Sequence, residues 1–333
     1  MNPDRLLTLV LRLLLSGALL GGCPTADDDD TAADDDASPD DDDTTDDALP
    51  PPEDVVLEGP CPLASRFGGF AVEAHPNYTV AQGQASNGVV PVLVLEESLT
   101  DGSCTLWKRN NPFCDPACSP GFTCDFDGTC LPYPAPQDLG TVTVEGLLAP
   151  VSMAPVPPGS NYFFTGLPLQ AMNVGETVRL RSTGGAWAPL ELWGLGVLDL
   201  DVSGIAGWTI ARETPLEVTW PAGAGRAEIL FRLNIDQHGL SPSTLECAFP
   251  DTGSATVAAA MIDGLFGAGV SGWPSATLSR RTVDRVDAED GCVDFVVTSP
   301  RTVPVSVAGY IPCNLQNPCP DGMTCNLEIE LCE

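Results

Sequence analysis

Lysine is almost missing from these 333 residues: Lys108 stands alone, histidine occurs twice, and Lys plus Arg total 14 against 46 acidic residues. A net charge of -32 leaves no cationic footprint for a phosphate backbone, which excludes nucleic-acid binding as a function class. With only His75 and His238, a catalytic zinc centre built on two or three imidazoles cannot readily be assembled. A glycine-rich phosphate loop after a strand is lacking too, and the sequence calls for no cofactor. The one apolar run near the start, LVLRLLLSGALL at 9–20, is interrupted by Arg12 and too short for a lasting membrane span.

That run has another meaning. Arg5 and Arg12 followed by apolar residues and then Leu20-Gly21-Gly22-Cys23 have the shape of a secretion signal ending in small residues. We read 1–22 as signal peptide and Cys23 as the first mature residue. Residues 24–54 then hold 15 acidic and no basic residues, with no aromatic side chain. Such a stretch buries too little apolar surface to offset chain ordering, so 23–54 reads as a lipidated cysteine followed by a disordered acidic tether. Mutual repulsion extends it, to about 100 Å at most for 31 residues. The aspartate runs lack the spaced oxygens and central glycine of a calcium loop.

Beyond Val55 the chain is rich in Gly, Pro, Val and Thr, and helix periodicity is scarce. Short apolar or alternating segments recur at 70–80, 88–95, 141–147, 177–181, 190–200, 216–220, 227–233, 293–298 and 303–307, each bounded by turn formers. The expected fold is all-β, sandwich-like, with one minor helix over Ser254–Phe266. The expected division is a small β domain at 55–110, a Cys-rich module at 111–133, a larger β domain at 139–309 and a second Cys-rich module at 310–333. Pro132-Tyr133-Pro134-Ala135-Pro136 marks a stiff junction.

Setting Cys23 aside leaves twelve cysteines, an even number suited to six disulfides in an oxidising compartment. Cys114, Cys118, Cys124 and Cys130 form one cluster, and Cys313, Cys319, Cys325 and Cys332 form a second. CSPGFTCDFDGTC and CPDGMTCNLEIELC make the two an internal repeat. Segments this small need cross-links in place of a core, and four cysteines allow three pairings each. Most gaps of five or six residues do not match a zinc knuckle. For Cys61, Cys104, Cys247 and Cys292 the simplest assignment is Cys61 with Cys104 and Cys247 with Cys292.

The LGGC lipobox, the Asp/Thr-rich tether and the NPFCDPACSPGFTC and NPCPDGMTC modules together resemble uncharacterised bacterial surface lipoproteins. The modules are distantly similar to EGF-like ones, with four cysteines in place of six. The resemblance implies diacylation of the Cys23 thiol, cleavage before it and acylation of the new amino group. It implies an outer-membrane or cell-surface location, since Pro24 supplies no aspartate-type retention signal. It brings no activity with it.

Candidate chemistry is sparse. Asp251-Thr252-Gly253-Ser254 looks like the DTGS signature of pepsin-like aspartic proteases, whose two carboxylates share a proton. A second such motif is missing, so that mechanism needs a dimer; a turn and helix cap is the plainer reading. Asp236 and His238, two apart, would share a strand face, with Ser241 and Ser243 just beyond, but without a G-x-S-x-G elbow. Asp125 and Asp127 offer oxygens to calcium but lack the remaining EF-hand spacing, and Asp284, Asp287, Glu289 and Asp290 lie beside Arg280, Arg281 and Arg285. The function expected is that of a lipid-anchored extracytoplasmic structural, adhesive or ligand-binding protein. Its expected partners are the membrane and a surface protein or glycan; the alternatives are a hydrolase through Asp251 or Asp236/His238, or calcium-dependent adhesion.

Overall fold

The computed structural model describes residues 48–223, 225–236, 243–288 and 291–333. Cys23, His238, Ser241, Glu289 and Asp290 lie outside the described residues. Among the described residues the fold is all-β, with one α-helix and small disulfide-rich modules.

The first strands are β1 (Arg66–Ala74), β2 (Thr79–Ala85), β3 (Leu95–Asp101) and β4 (Cys104–Arg109). The first Cys-rich module contributes β5 (Phe122–Cys124) and β6 (Cys130–Pro132). Next come β7 (Val142–Glu145), β8 (Val151–Met153), β9 (Tyr162–Leu167), β10 (Thr177–Ser182) and β11 (Glu191–Leu195). After β12 (Trp208–Ile210) and β13 (Leu216–Thr219) follow β14 (Glu228–Asn234), β15 (Ser243–Pro250) and β16 (Ser254–Val257). Helix α1 (Ala259–Ala268) precedes the long β17 (Ser275–Ala288) and β18 (Gly291–Val307), and the second module adds β19 (Cys325–Asn326) and β20 (Leu331–Cys332).

One ten-stranded sheet runs β3-β4-β15-β14-β17-β18-β1-β2-β9, with β12 joined to the far end of β18. The β1–β18 and β12–β18 pairings are parallel and the others antiparallel. The separate domains expected at 55–110 and 139–309 therefore share this sheet: β1 lies against β18 and β4 against β15. Their separation in sequence hid the pairing, because register between distant strands leaves no local signal.

Side chains alternate along β17 and β18, so one sheet face carries two apolar cores in series. Val293, Phe295 and Val297 of β18, with Phe70 and Val72 of β1, pack under the four-stranded sheet β11-β10-β7-β8. Further along, Leu278, Val303 and Phe231 pack under α1 and the β13–β16 pair. Burying each such side chain stabilises the fold by about 1.5–3 kcal/mol. Between the cores the same face turns polar, at Arg280, Thr282, Asp284, Ser299 and Arg301, all buried.

That seam has a structural reason. Strand β11 is the edge of the small sheet, and β17 side chains meet its backbone: Trp193 N–H donates to Asp284 Oδ2 at 2.8 Å, and Leu195 N–H to Thr282 Oγ1 at 3.0 Å. Thr282 donates back to the Leu195 carbonyl. An edge strand is thereby sealed without another strand beside it.

Three local expectations are corrected. Residues 88–94 form a bend and a 3-10 segment, Pro91–Leu93, because Pro91 lacks a ladder donor, and Leu95 opens β3. The helix starts five residues late: Ala255 and Val257 alternate against Val218 and Leu216, and only Met261, Ile262, Leu265 and Phe266 follow helical spacing. Ser254 therefore opens a strand and caps nothing. The disulfides are Cys61–Cys292 and Cys104–Cys247 in place of Cys61–Cys104 and Cys247–Cys292. Cys104 and Cys247 are direct cross-strand partners, and Arg66, five residues after Cys61, pairs with Cys292.

Within the modules the pairings are Cys114–Cys124 with Cys118–Cys130, and Cys313–Cys325 with Cys319–Cys332. Both join the first cysteine to the third and the second to the fourth. The sequence repeat is thus a repeat of connectivity.

Candidate functional site

The face of the large sheet opposite the two cores is open, and a groove of 760 Å³ lies along it. Its floor comes from β1, β18 and β17, the same strands whose other faces build the cores. Gly69 and Ala71 keep the β1 part of the floor low, and Gln82, opposite Ala71, and Gln84, opposite Gly69, rise beside it on β2.

Register produces an ordered row. Glu228 of β14, Arg281 of β17, Thr298 of β18 and Glu73 of β1 are successive cross-strand partners. At about 4.8 Å per strand the row runs about 15 Å across the sheet. Arg281 is held by Glu228 Oε1, 2.8 Å from its Nε. Glu73 Oε2 accepts from Gln82 Nε2 at 3.1 Å and lies 3.1 Å from His75 Nε2, whose ring stacks on Tyr78. Thr298, between them, is 6% exposed, and its buried hydroxyl has no partner among the described residues. Leaving a buried hydroxyl unpaired costs about 1–3 kcal/mol, a cost a fold-only position would shed by carrying valine.

The groove's other cations are also paired. Arg66 meets Asp294 at 2.5 Å, and Arg232 Nε meets Glu246 at 2.6 Å. Asp294, fully buried, also accepts the Cys61 N–H at 2.6 Å, so the Cys61–Cys292 bridge and the groove floor are joined through one carboxylate. At the β9 edge Phe163, opposite Gln82, is an exposed aromatic residue, 57% accessible. The Gln84 amide donates to the Gly159 carbonyl at 3.0 Å and anchors the rim that carries Asn161.

The residues singled out in the sequence lie elsewhere. Asp251 is locked in a buried ion pair: Arg280 Nε is 2.6 Å from its Oδ2, and Trp220 Nε1 donates to its Oδ1 at 2.8 Å. Burial alone would raise its pKa, but the hydrogen bonds from Arg280 and Trp220 and the Arg280 charge outweigh this and hold it below the ordinary carboxylate value. A carboxylate fixed in its ionised form by a guanidinium is the reverse of a proton-sharing protease dyad. Asp236 is buried beyond the end of β14 and accepts from the Ser271 hydroxyl, while its proposed partner His238 lies outside the described residues.

Asp125 and Asp127 shape the β5–β6 turn. Asp125 Oδ1 accepts the Phe126 N–H and Asp127 Oδ1 the Thr129 N–H, each at 2.8 Å. The Thr129 hydrogen bonds hold Asp127 below its usual pKa. Asp284 faces β11 and not the arginines beside it in sequence. Three groups among the described residues bring metal-ligating atoms close together, and each contains cysteines already joined in disulfides, which lack the thiolate a zinc ion takes.

The groove residues escaped notice because each sits in an unremarkable alternating segment. The available signal was Gln82 and Gln84 beside Gly69 and Ala71: a strand face with polar or minimal residues where solvent-facing charge is usual. A second, more apolar groove of 570 Å³ lies where the first Cys-rich module meets the body, lined by Phe67, Val89, Phe126 and Tyr133. No family model matches the chain, and no curated protein is similar to it.

Proposed function

We propose that this protein is a lipid-anchored, extracytoplasmic ligand-binding protein, acylated at Cys23, held out by its acidic tether and displayed at a bacterial outer membrane or cell surface. The observation that carries the binding part is the polar groove on the open face of the ten-stranded sheet, where a concavity is lined by paired charges and by Thr298, whose hydroxyl has no partner among the described residues. The scaffold suits display. Two long-range disulfides fasten the sheet, and four more brace the two small Cys-rich modules, where no large core forms. The anchor rests on the LGGC motif at 20–23 and the 15 acidic residues that follow it.

Mass analysis of the mature protein extracted from membranes, without reduction, tests this reading. An amino terminus at Cys23 carrying three acyl chains, with labelling of the β body by a membrane-impermeant reagent on intact cells, is the expected result. An unmodified terminus, or a body shielded from the reagent, overturns it.

A further inference from the structure

We propose that the open-face groove binds a neutral saccharide, with Phe163 as its stacking platform and the Glu73–Thr298–Arg281 row reading its hydroxyl groups. The inference rests on the ligand-binding reading above and names the ligand class.

The charge pattern narrows the chemistry first. Arg66, Arg232 and Arg281 are each neutralised by a carboxylate, and Glu73 stands among them. A phosphate or sulfate would have to displace Asp294, Glu246 or Glu228 and then face Glu73. A metal cation would face the guanidinium groups. A ligand without net charge avoids both costs, since no buried charge has to change its partner.

Hydrogen-bonding capacity narrows it further. The bonds already made use Glu73 Oε2 and Gln82 Nε2, which leaves Glu73 Oε1 and Gln82 Oε1 as acceptors. One strand away stands the Thr298 hydroxyl, and one strand further the Arg281 guanidinium, a donor only. The Thr298 Oγ1 is itself buried, so a change of χ1 rotamer is what brings its O–H to a bound ligand. Acceptor, hydroxyl and donor therefore recur at the strand spacing, and a ligand must both donate and accept at close intervals. Adjacent hydroxyl groups on a sugar ring do so.

The remaining feature is apolar. Phe163 is an exposed aromatic residue beside Gln82, and a pyranose ring has a C–H face that packs against an aromatic ring. An extended polypeptide would gain less. The backbone N–H and C=O groups of β1, β18 and β17 that floor the groove are engaged within the sheet, and strand addition belongs to edge strands such as β3, β9 and β12.

The test uses the full mature chain, immobilised in detergent, with maltohexaose, cellohexaose and chitohexaose as neutral probes and a heparin hexasaccharide as the acidic one. Phe163→Ala, Glu73→Gln and Thr298→Val are compared with the parent, and Phe126→Ala, in the second groove, is the control. Thermal melts of every variant report folding, and Thr298→Val is expected to melt no lower than the parent, since it discards an unpaired hydroxyl.

The expected result is saturable binding of at least one neutral probe. It should weaken about tenfold or more in Phe163→Ala and Glu73→Gln, weaken in Thr298→Val and stay unchanged in Phe126→Ala. Raising salt should leave it nearly constant, because no counterion is released. Failure of all three neutral probes at millimolar concentration overturns the proposal, as does binding that survives all three groove substitutions. Heparin binding alone, lost with salt, assigns the groove to anions. A polypeptide ligand lost in Glu73→Gln, with no saccharide bound, keeps a binding groove and overturns the saccharide. Acylation of Cys23 is read separately, so an unanchored protein leaves this test intact.

Discussion

Arg280 and Asp251 form an ion pair at 2.6 Å with side chains 1% and 5% exposed, and the remaining guanidinium donors reach the carbonyls of Leu198, Asp199 and Pro221. One side chain from the middle of β17 thus ties down the loops that follow β11, β13 and β15. Removing one member of such a pair strands the other in a poorly solvated site. Arg280→Leu and Asp251→Asn are each expected to lower unfolding free energy by about 3–5 kcal/mol in urea titrations. The double variant should lose clearly less than the sum of the two, since both report one interaction. A loss under about 1 kcal/mol in both would mean the pair is not structural.

The same pair sets an acid limit. Asp251 is held below its unfolded value of about 3.9, so its contribution to stability is present above that pH and lost as pH falls through the folded value. Stability measured from pH 6 downward should therefore decline below about pH 4, with a shallower decline in Asp251→Asn than in the parent. Equal slopes would remove Asp251 from the acid transition.

Disulfide connectivity gives a direct check. Non-reducing peptide mapping should recover Cys61–Cys292 and Cys104–Cys247, which are 231 and 143 residues apart in sequence. Replacing the Cys61–Cys292 pair with serine is expected to cost about 2–5 kcal/mol. It should also loosen the groove floor, because Cys61 N–H and Arg66 both bind Asp294. Recovery of Cys61–Cys104 peptides would contradict the sheet pairing itself.

Strand β11 crosses the β17–β18 hairpin so closely that a Cβ on Gly194 would stand 2.6 Å from Val297 Cγ2 and 3.3 Å from Phe295 Cε1. Both neighbours belong to the packed first core. Gly194→Ala should therefore destabilise by about 1–3 kcal/mol through overpacking, read as a lowered denaturant midpoint. An unchanged midpoint would show that β11 can lift from the sheet.

Calcium-dependent adhesion through the Cys-rich modules can be checked by melting the protein with and without the ion. Asp125 and Asp127 each use an oxygen on backbone N–H groups of their own turn. Millimolar calcium should therefore shift the melting temperature by less than about 1 °C, since only a bound ion stabilises through linkage. A saturable rise abolished by Asp127→Ala would reverse that conclusion.

The all-β class was legible because turn formers punctuate short apolar runs, and β10, β13 and β18 lie where alternation put them. β17 was not, although it is one of the longest strands. Its core-facing positions run Ala276, Leu278, Arg280, Thr282, Asp284, Val286 and Ala288, and the three polar residues in the middle break the hydrophobic pattern. Those residues face inward because they serve Asp251 and the edge of β11, which no local pattern reveals. Ser299-Pro300-Arg301-Thr302 divided β18 into two segments for the same reason: Arg301 pairs with Asp199 and donates to the Ala74 carbonyl. The DTGS string, whose plainer reading was a turn and cap, supplies an aspartate that serves Arg280.

The sequence by itself determined the β class, the repeated four-cysteine modules, the acidic segment before the body and the poverty of catalytic groups, because each is a matter of composition or short spacing. Tertiary structure alone decided which distant strands meet, which cysteines therefore pair, and that Glu73, Thr298, Arg281 and Glu228 stand in one row. These four come from β1, β18, β17 and β14, and the first two are 225 positions apart in sequence. Sheet register, driven by burial of the opposite face, sets each of them one strand spacing from the next.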